Sequence, residues 1–225
     1  MHVVLTPAFY AAYPDGIFGM LIVRGCANWP RALAISSEER AVEARLRGQF
    51  PGDTIEVHPI ARAYAQYFRR YGGRYPVVHQ AKTVLAGRPI ESDSALVEAM
   101  FTAELDSLIL TSGHDLQALQ SPLVVDVAVA GDAYTKLSGK DQMLKMGDMV
   151  VRDAEAIIAS VVHGPDARTR LQLETTGALF GAWCPVGIAP STVEGHLARL
   201  AALIRQEWPD AAVEAPGVWV KSRTQ

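Results

Sequence analysis

Residues 119–184 read LQSPLVVDVAVAGDAYTKLSGKDQMLKMGDMVVRDAEAIIASVVHGPDARTRLQLETTGALFGAWC. Short apolar runs (PLVVDVAVAG, AYTKLSG, GDMVVRD, AIIASVVHGP, ALFGAWCPVG) are cut by Gly, Asp and Pro at intervals of about ten residues, the spacing of strands and turns in a mainly antiparallel sheet. The text before it is mostly helical in period. One exception is IFGMLIVRG, Ile17 to Gly25, a run of branched apolar residues closed by glycine that predicts a buried strand. NWPRALAISSEERAVEARLRG then places Ser36 and Ser37 ahead of Glu38 and Glu39, an expected N-cap, with apolar positions at Ala41, Val42, Ala44 and Leu46. His58 to Tyr71 predicts a second helix whose Tyr64, Tyr67, Phe68 and Tyr71 share one face. Gly72-Gly73 stops it, and Pro76 opens a third that Gly87 closes.

ALVEAMFTAELDSLILTSG keeps a helical stripe, so a helix is expected from a Ser94 cap to a stop at Gly113. A last amphipathic helix covers 190–207, with Ser191 and Glu194 expected as a capping box. The fold class expected is α+β, N-terminal helices packed on a mainly antiparallel β-sheet with a C-terminal helix. No repeat or long linker divides the chain, which predicts a single compact unit over 1–225. Within it, 1–93 form an N-terminal strand and helical lead-in and 191–225 a closing helix and tail.

Of the 225 residues 49% are hydrophobic and 20% charged, and 21 basic against 24 acidic side chains leave a net charge of −3. No stretch approaches the ~20 apolar residues of a membrane span, and MHVVLTPAFYAAYPDG lacks a basic region ahead of an apolar core. A cytoplasmic protein with no membrane partner is expected. Cys26 and Cys184 are isolated, without metal-ligand spacing, so neither a metal site, nor another cofactor, nor a disulfide scaffold is expected. The acidic balance excludes the broad basic surface of a DNA-binding protein and leaves room only for a local, transient RNA contact.

Three polar clusters lie at element ends. His79, Gln80 and Lys82 fall near a helix start, where they could hold a carboxylate or phosphate, or be a capping histidine and a solvated lysine. Glu98 interrupts an apolar run, and His114-Asp115 follow the glycine beyond it; Asp115 could equally cap the turn DLQAL. Arg168 and Arg170 share a loop, as phosphate contacts or as solvated charges.

The order of these pieces resembles the editing region, modules three and four, of the beta subunit of phenylalanyl-tRNA synthetase. That family carries a Val-Val-Asp type helix motif, then F-D-L-D-K-L, D-L-V-I-x-D, G-x-M-G-G and T-x-x-I-x-x-E. The matching text here is LVEAMF, GHDLQAL, GDMVVRD, SVVHGPD and ETTGALFGAW, within residues 94–190. YFRRYGGRYPVVHQAKTVL is similar to the lead-in of free-standing relatives. No segment resembles the adenylate-forming core, so aminoacylation by this chain alone is not expected.

The resemblance implies an aminoacyl-tRNA deacylase that hydrolyses a mischarged ester in trans with a positioned water, in contact with aminoacyl-tRNA. By position it places Glu98, Asp115, Gly164 and Thr176 at the family's motif residues. For such a reaction the residues read above give His114 as the expected water-positioning group or base with Glu98 and Asp115 orienting it, His79, Gln80 and Lys82 holding the substrate with Gly164 and Thr176, and Arg168 and Arg170 touching RNA. Two departures bear on specificity. The family often has a histidine where Ser112 stands, and its hydroxyl-reading acid is Gly181 here, so the expected substrate is a smaller or apolar amino acid. The rival expectations are a pocket that binds an amino-acid-like small molecule or tRNA without turnover, and a hydrolase of small esters or amides without RNA.

Overall fold

The computed structural model describes residues 1–89, 92–185 and 187–221; positions 222–225 of the expected tail lie outside the described residues. The chain runs β1 (Val3–Leu5), α1 (Pro7–Ala12), β2 (Ile17–Arg24), α2 (Ser36–Gln49), α3 (Pro59–Arg70), α4 (Pro76–Leu85) and α5 (Ala95–Ser107). Then follow β3 (Thr111–Asp115), β4 (Leu123–Val127), β5 (Ala133–Thr135), β6 (Asp141–Met143), β7 (Met149–Arg152), β8 (Ile157–Ser160), β9 (Gly164–Pro165) and β10 (Gly177–Cys184). α6 (Pro190–Glu207), β11 (Ala212–Val213) and β12 (Gly217–Trp219) close it. A 3-10 turn spans Pro51–Val57. The fold class is α+β, as its patterning predicts.

The strands make two five-stranded sheets and a hairpin. One sheet has the order β1-β4-β7-β8-β9, antiparallel except for the β1–β4 pair; the other has β11-β2-β10-β3, with β12 also on β2; β5 and β6 pair alone. The sheet is therefore not confined to the second half of the chain. β2 pairs with β10 along its whole length, from Ile17 opposite Cys184 to Arg24 opposite Gly177. Every residue of β10 is buried, since it is covered on both faces and flanked on both edges. One contiguous apolar core joins the helices to both sheets, with Phe9, Phe18, Tyr64, Phe68 and Phe180 fully enclosed. Burial of each such ring is worth about 1.5–3 kcal/mol.

Three local expectations are corrected. The helix from Ser94 ends at Ser107, because Leu108 adopts the left-handed conformation (φ 59°) and its N–H closes on Glu104 O. Residues 111–115 are a strand, and Gly113 answers to packing: a Cβ there would meet Leu171 Cδ1 at 2.7 Å. α6 has Ala189 at its N-cap with no side-chain bond, and Pro190 in its first turn supplies the stop, so Ser191 and Glu194 form no capping box. The start of α2 is not capped by its own serines. Instead Glu207 at the end of α6 accepts from Leu33 N (3.1 Å), Ala34 N (2.7 Å), Ile35 N (3.1 Å) and Trp29 Nε1 (3.1 Å).

The aromatic face of α3 fixes the two segments that matter for the site. Tyr64 stacks on Tyr75 with ring centroids 4.4 Å apart, its hydroxyl donates to Trp183 O and accepts from Leu110 N (3.1 Å), and Tyr75 Oη donates to Leu108 O (2.5 Å). This pins the turn between α5 and β3. One helical turn on, Tyr67 Oη donates to Asp148 Oδ1 (2.5 Å) and accepts from Met149 N. Asp148 Oδ2 takes the Ser160 hydroxyl (2.5 Å), and Ser160 Oγ accepts from His163 N (3.2 Å), so the loop after β8 is held from the same helix.

Candidate functional site

Where these two pinned segments face each other, α4, α5, the start of β3 and β9 enclose a cleft with two lobes. The larger lobe, about 350 Å³, has an apolar wall of Val97, Met100, Phe101, Leu110 and Leu171. The smaller, about 240 Å³, reaches Val161, His163 and Trp183. Both lobes share Pro76, Leu110, Thr111, Ser112, Gly164 and Pro165. Leu137, beyond β5 at the turn of the hairpin, touches the larger lobe. A concave apolar chamber with a few polar groups is the usual shape of a small-ligand site.

The polar groups are few and distinct. Gln80 lines the larger lobe from α4, and its Oε1 is buried without a hydrogen-bond partner among the described residues. His163 lines the smaller lobe, and its Nε2 is likewise buried and unpartnered. Such orphaned polar atoms cost about 1–3 kcal/mol each until something satisfies them. Glu104 lines the larger lobe at 2% exposure, accepting from Thr111 N at 2.6 Å. Burial pushes its carboxyl up to about 8, with the Thr111 N–H opposing, so at neutral pH it is chiefly the uncharged acid. At the mouth stand two exposed guanidinium groups, Arg170 on the larger lobe and Arg74 on the smaller.

His114 is placed quite differently. It is 1% exposed and both ring nitrogens are taken. The Thr169 hydroxyl donates to Asp166 Oδ1, so Thr169 Oγ1 accepts from His114 Nδ1–H at 2.7 Å. Nε2 is then an acceptor for the Ser112 hydroxyl at 3.0 Å, and Ser112 Oγ accepts from Trp183 Nε1 at 3.1 Å. Every donor in this chain has an acceptor only while the imidazole is neutral. Desolvation accordingly pulls His114 down to about 4, Asp153 opposing and Arg168 assisting. Both nitrogens of the expected general base are thus occupied within a buried hydrogen-bond chain.

The other expected residues are spread over the molecule. Glu98 accepts from Ala32 N at 2.6 Å and faces a separate cavity of about 280 Å³, beside Arg31 and Glu39. Asp115 folds its own turn, accepting from Gln117 N (2.9 Å) and from Thr175 Oγ1 (2.7 Å). His79 and Lys82 line a third cavity near Arg69, with Lys82 Nζ 2.7 Å from Glu56 Oε1. Thr176 is exposed and accepts from Gln117 Nε2 at 3.1 Å. Arg168 is half-buried and engaged by Asp153 (2.7 Å) and Ala118 O (2.7 Å), away from the cleft.

Three of the expected residues do meet in one place: Gln80, Gly164 and Arg170 all line the cleft. Glu104, Thr111, His163 and Arg74 join them without having been singled out by the sequence. Glu104 had a legible signal, since it falls four residues after Met100 and seven after Val97 on the inner stripe of α5. His163 stands inside the SVVHGPD stretch, beside Gly164, whose φ of +82° lets the backbone turn along the cleft wall.

Comparison with known proteins adds little. No protein-family model matches the chain, and no curated protein does. Among solved structures a distant neighbour is an N-terminal fragment of the phenylalanyl-tRNA synthetase beta subunit from Pyrococcus horikoshii, with a TM-score of 0.49 and 11% identity. The match covers 94% of this chain and 50% of that one, so the chain spans about half the length of that fragment. A likeness of this size carries neither activity nor substrate to this chain. Among the described residues no helix is long and apolar enough to cross a membrane, and no cluster of His, Cys, Asp or Glu could hold a metal ion.

Proposed function

We propose that this cleft receives the aminoacyl end of an aminoacyl-tRNA carrying an apolar amino acid and that the chain hydrolyses its ester. The observation that carries the reading is an apolar chamber bordered by two buried polar atoms without partners, Gln80 Oε1 and His163 Nε2, with two exposed arginines at its mouth. The amino-acid side chain fits the Val97–Met100–Leu171 wall, the α-ammonium has an acceptor in Gln80, and the terminal phosphates have Arg74 and Arg170. Of the positions carried over by resemblance, Gly164 lines the cleft, whereas Glu98, Asp115 and Thr176 lie outside it. Ser112 and Gly164 line the cleft, and Gly181 pairs with Ser112 across β3 and β10.

The packing at Gly181 bears on the amino acid. A Cβ there would stand 3.2 Å from Phe18 Cε2 and 3.3 Å from Ser112 Oγ, so an acid at this position would have to push these neighbours aside by a few tenths of an ångström. The pocket's remaining surface favours an aliphatic side chain.

Purified protein is to be incubated with a panel of correctly and incorrectly charged aminoacyl-tRNAs, following loss of the ester. Selective cleavage of aliphatic esters, slowed at least tenfold by Gln80→Ala and by Arg170→Glu, supports the reading. Equal cleavage of all esters, or none, refutes it. One observation favours a second reading, a binding pocket without turnover: His114, the histidine expected as base, has both ring nitrogens engaged in a buried hydrogen-bond network. Retention of a non-hydrolysable aminoacyl-adenosine amide without cleavage of any ester identifies that case.

A further inference from the structure

His114 is occupied, yet ester hydrolysis through a positioned water needs an acceptor for the water proton. Among the described residues lining the cleft, His163 is the one imidazole. Its backbone is fixed, because His163 N donates to Ser160 Oγ and Val162 N to Asp148 Oδ2 at 3.4 Å. Its side chain makes no hydrogen bond among the described residues: Nε2 is covered by protein and unpartnered in the wall of the lobe that His163 lines. The neighbouring Gly164 has nothing within 4 Å of where a Cβ would be, so the wall beside the ring is open.

On the reading of the cleft as an aminoacyl-ester site, we infer that His163 holds the hydrolytic water and takes its proton. The water oxygen adds to the ester carbonyl carbon as its proton passes to His163 Nε2. The bond from that carbon to the ribose oxygen then breaks, and the imidazolium returns the proton to the leaving ribose oxygen. The products are the amino acid and an uncharged tRNA end, with His163 restored. A neutral ring is required at the start. The groups around it favour that state: burial lowers its affinity for a proton, Lys136 and Lys145 lower it further, and Arg74 borders the same lobe. Asp148, the nearest acid in the network, is itself raised by burial, and Asp166 lies across the bridge from Lys136.

Two measurements on the full chain test this. In the first, deacylation of the best aliphatic aminoacyl-tRNA is followed from pH 5 to 9 for wild type, His163→Ala and His163→Gln, after subtracting the protein-free rate. The expected result is a wild-type kcat that is level at neutral pH and declines only below the ordinary imidazole value of 6.5. Both variants should lose about 100-fold or more in kcat with KM changed less than threefold. In the second, 15N resonances of the His163 ring are recorded with and without 3′-(L-alanylamino)-3′-deoxyadenosine. A ligand-dependent shift at Nε2 that is absent at His114 supports the assignment.

Variants that keep the wild-type rate, or an Nε2 resonance indifferent to the analogue, overturn the role of His163 while the proposed function stands. A wild type that cleaves no ester overturns both.

Discussion

Glu104 shows how a single buried group sets conditions on the whole site. Its carboxyl is raised from 4.5 to about 8 because the ionised form is desolvated and has one backbone N–H in compensation. The folded state therefore binds a proton more tightly than the unfolded chain. The stability this contributes is full below pH 4.5 and is lost as pH rises through 8. Glu104→Gln mimics the neutral acid and should remove that slope, gaining on wild type by roughly 2–4 kcal/mol between pH 5 and pH 9 in denaturant titrations. Parallel pH profiles for the two proteins would sink the idea. His114 and His196 work with the opposite sign. Both are lowered to about 4 by burial, so their contribution is intact above 6.5 and is lost as pH falls through 4, on the order of 3 kcal/mol for each. Urea unfolding should show this loss between pH 6.5 and 4, and a flat profile there would contradict it. None of this is legible in the sequence. The hydrogen-bond partners of His114 include Thr169, 55 residues away, and its Ser112 partner is engaged by Trp183, 71 residues from it.

Elements were readable where their signals are local. Proline at the starts of α3 and α4, the Ser94 cap of α5 and the apolar run of β2 are each contained in a few neighbouring residues. What failed were the ends that depend on distant chain. Leu110-Thr111-Ser112 continues the apolar texture of α5, yet it leaves the helix because Tyr64 and Tyr75 hold the turn and β10 offers a strand edge. α2 is capped from outside by Glu207, which no neighbouring pattern announces. Glu207→Ala strands four donors at 29–35 and should cost about 3 kcal/mol. Hydrogen exchange should then accelerate first in the amides of 33–35 and the opening turn of α2; uniform acceleration across the molecule would refute a capping role. The cleft was half legible for the same reason. Gln80, Gly164 and Arg170 were marked by type and position and Glu104 by its place on the stripe of α5, whereas His163 acquires meaning only from what encloses it.

At the scale of the molecule, the helical layer and the sheet are in close contact at Gly19, where a Cβ would fall 2.7 Å from Val193 Cγ1 and 3.0 Å from Leu197 Cδ1 of α6. Gly19→Ala should destabilise by about 1–3 kcal/mol through displacement of α6, with a lower urea midpoint and unchanged slope. A wild-type midpoint would show that the helix yields without cost. Gly19 lies on β2, and β2 finds its inner partner late. Ile17 pairs with Cys184 and Arg24 with Gly177. A nascent chain has therefore made IFGMLIVR long before it makes the strand that will cover it. At cellular translation rates of about 5–20 residues per second the interval is roughly 8–30 s. For that time an aggregation-prone apolar segment has no native edge to join, which makes the emerging polypeptide a client for whatever holds hydrophobic segments at the ribosome.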